Sequence, residues 1–143
     1  MSQTTTPLPA YSLDRQVGFL LRKATQRHIA IFAARIPSLT PTQFAALAKL
    51  CELGPTSQNA LGRATAMDAA TIKGVVDRLR QKGLVGNVAD NGDRRRIVLA
   101  PTAEGQGAFE GLAQAARAIT EETLAPLSGS ERTRLAELLR KLG

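Results

Sequence analysis

The chain has 143 residues, of which 43% are hydrophobic and 3% aromatic, and its formal net charge is +7. This size favours one domain, and the abundance of Ala, Leu, Arg and Gln predicts a mostly helical fold with an aliphatic core. The positive charge predicts a polyanionic partner, and a single His and a single Cys leave too little material for a disulfide, a Cys/His zinc site or a His-based catalytic triad.

The partner is expected to be nucleic acid, not a membrane. No apolar run approaches the roughly 18 residues that span a bilayer, and no charged-then-apolar signal segment opens the chain. We therefore expect a cytoplasmic protein that is not an enzyme, binds no cofactor or metal, and begins with a short flexible arm over residues 1–12.

Two helices are predicted in the first third of the chain. Apolar residues recur every three or four positions over residues 13–35, which predicts one long helix, and Pro37 ends it. Thr40 is the expected N-cap of the second helix, with Pro41 at the first helical position, where a missing N–H costs nothing. Gly54 begins the segment that stops this helix.

A short helix, a turn and a longer helix come next. Ser57 is the expected cap of a helix over residues 58–64, and Asp68 the expected cap of a helix over residues 69–82. Gly83 fits the position just after a helix C-terminus.

After that block the pattern predicts a hairpin and two more helices. Residues 84–88 and 96–100 are strand candidates around a turn at residues 90–93 that contains an Asn-Gly hairpin signal. Thr102 is the expected cap of a helix to about residue 124, and Ser128 opens a capping box before the last helix. The predicted fold class is mostly α (α+β), a winged helix-turn-helix with a two-stranded wing hairpin and added helices.

This order of elements predicts contact with duplex DNA. The second helix of a helix-turn-helix can enter the major groove, where short side chains permit a close approach, and its N-terminus favours a phosphate. Arginines on a protruding hairpin suit the narrow minor groove, although an Arg triplet alone is more often a solvated turn; Asp93 is expected to hold one of them. The expected DNA-binding residues are Ser57, Asp68, Ala70, Thr71, Lys73, Gly74, Arg78, Arg94, Arg95 and Arg96.

The sequence also resembles the MarR (multiple antibiotic resistance regulator) family of bacterial winged-helix repressors over nearly its whole length. The resemblance rests on LTPTQF at 39–44, VDRL at 76–79, KGLV at 82–85, and the wing DNGDRRR at 90–96 leading into TAEG at 102–105. Two positions depart from the family pattern. Pro101 replaces a usual aliphatic residue, and Gly74 replaces a larger polar side chain, which leaves the target sequence open.

The resemblance implies a homodimer in which the first helix and the last two interleave. It divides the chain into the arm at 1–12, a helical dimerisation region at 13–37 and 102–143, and a winged helix-turn-helix at 38–101. A two-fold dimer implies a pseudo-palindromic operator. The family further implies a ligand-responsive repressor released by a small phenolic or aromatic carboxylate. Residues 22–32 (RKATQRHIAIF) resemble members that control aromatic and heteroaromatic acid catabolism, including the hydroxynicotinate-responsive subgroup.

The basic first helix is the expected place for that ligand. Residues 13–35 hold five Arg and Lys against one acid. This excess positive charge either attracts a carboxylate ligand, or is exposed to solvent and paired with Glu121, Glu122 and Glu131. His28 is either a satisfied core histidine or a ligand contact, and each aromatic side chain is either core or cavity wall. The candidate ligand-binding residues are Tyr11, Arg15, Phe19, Arg22, Arg27, His28, Phe32 and Phe44.

Two other functions compete with the ligand-responsive repressor. A basic architectural DNA-binding protein would show weak sequence preference and no effector. A redox sensor would work through Cys51, although this residue lies on the apolar face of the second helix, where a small buried hydrophobe is the favoured interpretation.

Overall fold

The computed structural model describes residues 10–90, 92, 93 and 95–143. The predicted mostly-α winged helix-turn-helix fold is confirmed, and residues 1–9 of the expected arm lie outside the described residues. The elements are α1 (Val17–Arg35), α2 (Pro41–Leu53), α3 (Gln58–Ala64), α4 (Ala69–Gln81), β1 (Val85–Ala89), β2 (Ile97–Pro101), α5 (Ala103–Thr123) and α6 (Gly129–Leu142).

Helix caps fix most of these boundaries. The Thr40 hydroxyl accepts the Gln43 backbone N–H at 3.2 Å, and the Gln43 side chain accepts the Thr40 N–H in return, which completes a capping box on α2. Ser128 forms the same box with Glu131 on α6. Gly83 ends the α4 region with φ +74°, a conformation that favours glycine.

The prediction of one helix over residues 13–35 is wrong at its start. Leu13–Arg15 form a short 3₁₀ helix, and Gln16 is extended (φ −84°, ψ 133°) before α1 begins at Val17. The Gln16 side-chain amide donates to the Ser12 carbonyl at 3.0 Å, which satisfies a backbone group outside any helix. Apolar spacing is the same on both sides of this break, so the sequence pattern does not reveal it.

The wing also differs in detail from the prediction. Both strands lie one residue later than expected, and they pair antiparallel with Val85 opposite Pro101 and Ala89 opposite Ile97. The connection between Ala89 and Ile97 spans residues 90–96, and across its base the Asp90 N–H donates to the Arg96 carbonyl at 2.9 Å. It is therefore longer than the two-residue turn that an Asn-Gly pair favours. Asn91 lies outside the described residues.

One strand interaction was not predicted. Thr56, between α2 and α3, exchanges backbone hydrogen bonds with Leu99 on β2, at 2.9 and 2.8 Å. A single paired residue leaves no alternating pattern in the sequence. The bridge attaches the base of the wing to the start of the helix-turn-helix.

The hydrophobic core lies under the helix-turn-helix. It joins the C-terminal end of α1 to α2, α3, α4 and the sheet, and α5 adds Ile119. By contrast, α6 and the N-terminal half of α1 bury no residue, although the structure describes every residue of both. In the part of the chain that the structure describes, every helix is too short or too polar to cross a bilayer.

Candidate DNA interface and ligand cavity

Helix α4 divides cleanly into a buried face and an exposed face. Its apolar face is buried in the core through Ile72, Val75, Val76 and Leu79. Its exposed face carries five of the predicted DNA-binding residues, namely Ala70, Thr71, Lys73, Gly74 and Arg78. The packing of one face therefore fixes which side chains the other presents outward.

The N-terminus of α4 is occupied by a carboxylate. Asp68 accepts the Thr71 backbone N–H at 2.7 Å, and that hydrogen bond holds the pKa of the Asp68 carboxyl below its usual range. The expectation that a phosphate binds this N-terminus conflicts with the cap, because Asp68 already takes the N–H and repels an anion. Ser57 caps α3 in the same way, because its hydroxyl accepts the Ala60 N–H at 3.2 Å.

A chain of polar contacts joins α4 to the wing. Lys73 donates to Asp77 at 2.9 Å, and Arg80 contacts the other oxygen of the same carboxylate at 3.2 Å. Arg80 also donates to the Asn87 side chain on β1 at 2.7 Å. The Lys73 hydrogen bond and charge lower the pKa of Asp77. Asp77, Arg80 and Asn87 were not predicted from the sequence, and the contact between Arg80 and Asn87 on β1 exists only in the folded chain.

The wing loop presents arginines to solvent. Arg95 and Arg96 are exposed, and Arg94 lies outside the described residues. Asp93 binds the backbone N–H of Arg95 at 3.0 Å, whereas the acidic side chain near a guanidinium is Asp90, 4.0 Å from Arg96. Asp93 therefore contacts one of the wing arginines, as expected, but through the backbone N–H of Arg95 and not through a guanidinium.

The first turn of α2 lies beside the exposed face of α4. A shallow groove of about 470 Å³ is lined by Thr42 and Gln43 on one side and by Thr71, Gly74 and Arg78 on the other. Thr40 and Pro41 were correctly predicted at the start of α2, but the sequence pattern does not indicate that this turn borders α4.

A small cavity, here named the α1–α2–α5 cavity, lies between these three helices. It has about 250 Å³ and is lined by His28, Phe32, Pro41, Phe44, Ala116, Ile119 and Thr120. The Phe32 and Phe44 rings meet edge to face with centroids 5.9 Å apart. Three predicted ligand residues, His28, Phe32 and Phe44, therefore come together. The lining residues on α5 were not predicted, because α5 shows only a thin apolar stripe in the sequence.

Three side chains of α1 contact the end of α5, and one of them, His28, also lines this cavity. The Arg27 guanidinium donates to the Glu122 carbonyl at 2.9 Å and to the Thr123 carbonyl, where a helix C-terminus leaves acceptors unsatisfied. His28 Nδ1 lies 2.9 Å from the Thr123 hydroxyl, and Arg35 pairs with the Glu122 carboxylate at 2.7 Å. Part of the α1 charge excess thus pairs with α5, as one of the two sequence interpretations expects.

The remaining predicted ligand residues lie away from this cavity within one chain. Tyr11, Arg15, Phe19 and Arg22 belong to the N-terminal half of α1 and the segment before it. Tyr11 is 77% exposed, and the Lys23 ammonium lies 5.6 Å from the centre of the Phe19 ring.

Cys51 is half-buried on α2. Burial and the negative charge of Glu110 raise the pKa of the Cys51 thiol, which disfavours the reactive thiolate. The structure therefore gives the redox hypothesis no support at this residue.

The chain matches one family model and is similar to three known proteins. Residues 39–97 match the MarR family model. The chain is 43% identical to the HTH-type transcriptional repressor NicR of Pseudomonas putida, covering 99% of this chain and 95% of that one. A probable transcriptional regulator from Pseudomonas aeruginosa has a TM-score of 0.88 and 51% identity, covering 92% and 100% of the two chains. Bordetella bronchiseptica BpsR, whose DNA binding is regulated by 6-hydroxynicotinic acid, has a TM-score of 0.88 and 39% identity, covering 94% and 97%.

Proposed function

Because this chain belongs to the MarR family and is a transcriptional repressor of the MarR type, we propose that it binds a pseudo-palindromic operator as a homodimer and is released by a small aromatic carboxylate. A hydroxynicotinate or a phenolic acid is the proposed class of effector. A repressor acts where the chromosome lies, so the proposed location is the cytoplasm.

The observation that carries the DNA-binding proposal is the exposed face of α4. It combines short side chains at Ala70, Thr71 and Gly74 with the cations Lys73 and Arg78, and its opposite face is buried. Short side chains let a helix approach the groove floor, and Lys or Arg can reach phosphates or guanine. The proposed wing contribution comes from Arg94, Arg95 and Arg96, with Ser57 and Asp68 positioning the helix starts.

Exposed apolar residues support the homodimer. Val17 and Leu20 on α1 are 65% and 50% exposed, and Leu139 and Leu142 on α6 are 44% and 72% exposed. A helix such as α6 that buries no residue in its own chain gains little stability from packing. Covering both helices by a second copy would bury this surface. The two-fold arrangement would then place two α4 helices against successive major grooves.

The α1–α2–α5 cavity is the proposed effector site. At about 250 Å³ it is smaller than the roughly 300 to 1,000 Å³ of most ligand pockets, which favours a single-ring compound. Its aromatic walls suit such a ring, and His28 offers a polar contact. Tyr11, Arg15, Phe19 and Arg22 lie in the exposed N-terminal region, where the proposed dimer makes them available to the second copy's cavity. Arg27 would hold the end of α5 beside it.

The effector would act by changing the populations of two dimer geometries. A ligand that binds better to a dimer with wrongly spaced α4 helices shifts the population away from the DNA-bound form. The hydrogen bonds that join Arg27 and His28 to the end of α5 offer a physical connection between the cavity and the proposed dimerisation region.

The wing assignment is tested by replacing one exposed arginine. Arg95→Ala is expected to weaken operator binding by more than about tenfold in a gel-shift titration, because a minor-groove cation is lost. Arg134→Ala is the matched control, since it removes the same charge from α6, where Arg134 pairs with Glu137 at 3.3 Å. Equal affinities for the two variants would refute the wing assignment.

The effector is tested by thermal stability. A rise in melting temperature with 6-hydroxynicotinate or a hydroxybenzoate is expected, because a ligand that binds only the folded state stabilises it. No response across such a panel would favour the architectural DNA-binding alternative.

A further inference from the structure

Gly74 lies in the middle of α4, the recognition helix of the helix-turn-helix, and the fold does not require a glycine there. Glycine destabilises a helix interior relative to alanine, because it loses more backbone freedom on folding. A Cβ added at Gly74 would meet nothing within 4 Å, whereas one added at Gly62 on α3 would lie 3.1 Å from Ile72. Packing between α3 and α4 therefore accounts for Gly62, while Gly74 leaves an open space on the exposed face of α4.

The open space at Gly74 is bordered by short side chains. Residues three and four positions earlier on a helix lie on the same face, and here these are Thr71 and Ala70, both exposed. We call Ala70, Thr71 and Gly74 the α4 notch. The notch lines the shallow groove of about 470 Å³ whose other side is the first turn of α2. Only Thr71 brings a side-chain hydrogen-bonding group to the notch, so its surface is otherwise apolar.

The charged neighbours of the notch are already paired with one another. Asp77 lies three positions after Gly74, and its two oxygens accept from Lys73 at 2.9 Å and from Arg80 at 3.2 Å. An acidic side chain can read a cytosine amino group and a Lys can read guanine, but this ion pair engages both side chains. A polar base edge placed over Ala70 and Gly74 would lose hydrogen bonds to water and gain none from these two side chains, which costs free energy.

We propose that Gly74 is a specificity-determining residue, and that the α4 notch takes up the C5-methyl group of one thymine in each operator half-site. This inference rests on the proposed function, because α4 must first enter the major groove. Thymine is the base that carries an apolar group on its major-groove edge, and the methyl groups of Ala70 and Thr71 suit contact with it. The neighbouring O4 atom of the base can accept from the Thr71 hydroxyl. Arg78, one turn beyond Gly74, would hold a phosphate.

The proposed fit is steric, so a single methyl group on either molecule decides it. Nonbonded carbon atoms attract best at about 3.5 to 4.0 Å, and a much closer approach is repulsive. The Cβ that Gly74→Ala adds would occupy the space of the thymine methyl group and hold the helix away from the base. Removing the thymine methyl group would free that space again. A change on the protein and a change on the DNA should therefore compensate each other.

Operator binding of Gly74→Ala is the first measurement, made by fluorescence anisotropy on the full chain with the duplex that the unaltered chain selects from a random pool. We expect a loss of at least about tenfold. Affinity for random duplex should not change, because charge governs it and no charge is altered. The urea midpoint of unfolding should rise, because alanine favours a helix interior. Gly107→Ala on α5 is the matched control, since its Cβ also meets nothing within 4 Å, and it should bind the operator normally.

Deoxyuridine then identifies the thymine, because it differs from thymidine only in lacking the C5-methyl group. Each thymine of the half-site is replaced in turn, in both half-sites together. At one position the replacement should weaken binding by the unaltered chain about threefold or more, as expected for the loss of one buried methyl group. The same replacement should restore binding by Gly74→Ala to within about threefold of the unaltered chain on the same duplex.

The outcomes distinguish this inference from the proposed function. The role of Gly74 is overturned by unchanged operator affinity in Gly74→Ala, by an equal loss on random duplex, or by a lowered urea midpoint. A half-site without thymine, or a loss that no deoxyuridine replacement restores, overturns it as well. Each of these results leaves the proposed function standing, because the unaltered chain still selects an operator. If the unaltered chain binds every duplex equally, the proposed function fails, and the role of Gly74 fails with it.

Discussion

A methyl group added at Gly105 tests how α5 packs against the winged helix-turn-helix. Gly105 is buried in the first turn of α5, and a Cβ there would lie 1.9 Å from the Leu84 carbonyl oxygen. Carbon and oxygen atoms in close contact lie about 3.3 Å apart or more, so α5 or the turn after α4 must shift by over an ångström. The Leu84 oxygen accepts the Thr102 N–H at 3.0 Å, and the shift would break that bond.

We expect Gly105→Ala to lower the free energy of unfolding by about 1 to 3 kcal/mol. Overpacking costs about 1 to 3 kcal/mol and a lost hydrogen bond about 1 kcal/mol, while Ala regains about 1 kcal/mol of helix propensity. Gly107→Ala is the matched control on the same helix, because its Cβ would meet nothing within 4 Å. The control should gain up to about 1 kcal/mol.

Urea unfolding followed by circular dichroism measures both variants. All samples need one protein concentration, because the proposed dimer would make apparent stability concentration-dependent. Gly105→Ala as stable as the unaltered chain would refute the close packing of α5 against the turn after α4.

Three further predictions concern the recognition helix and its neighbours. We expect weaker DNA binding in both Arg80→Ala and Asn87→Ala, because the hydrogen bond between these residues fixes the wing on α4. In a double-mutant cycle the two losses should be coupled by about 1 kcal/mol, and additive losses would contradict this. The pKa of Asp68 is lower in the folded chain, so its charge stabilises folding above the unfolded-state pKa of about 4, and this contribution is lost as the pH falls through the folded-state pKa. In thermal melts, Asp68→Asn should therefore be less stable than the unaltered chain at neutral pH, with the difference closing in acid; a pH-independent difference would refute it. Cys51→Ser should leave the gel-shift response to peroxide unchanged, because the raised thiol pKa disfavours oxidation, and a response lost in the variant would restore the redox hypothesis.

The helix boundaries were predictable because local chemistry sets them. Thr40, Ser57, Asp68, Thr102 and Ser128 each cap the helix that the sequence assigned to them. A cap depends on hydrogen bonds within three residues, so it can be read without the fold. The break at Gln16 and the long wing loop could not be read this way, because apolar spacing does not register a local change in backbone conformation.

The ligand cavity was predictable only in part. His28 and Phe32 lie on the face of α1 that meets Phe44, and helical spacing placed them together. Ala116 and Thr120 on α5 reach the same cavity only through tertiary packing across about 90 residues. The contacts of Arg27 with the end of α5 were also beyond sequence reasoning, because carbonyl acceptors carry no residue signature.

Duplexes selected from a random pool, and then titrated with and without 6-hydroxynicotinate, test whether this chain is an acid-released operator-binding repressor. We expect two inverted half-sites about one helical turn apart. The selected duplex should bind at least about a thousandfold tighter than random duplex at the same salt, and the acid should abolish that binding. Recovery of no common motif, together with equal affinity for every duplex and no effect of the acid, would contradict it.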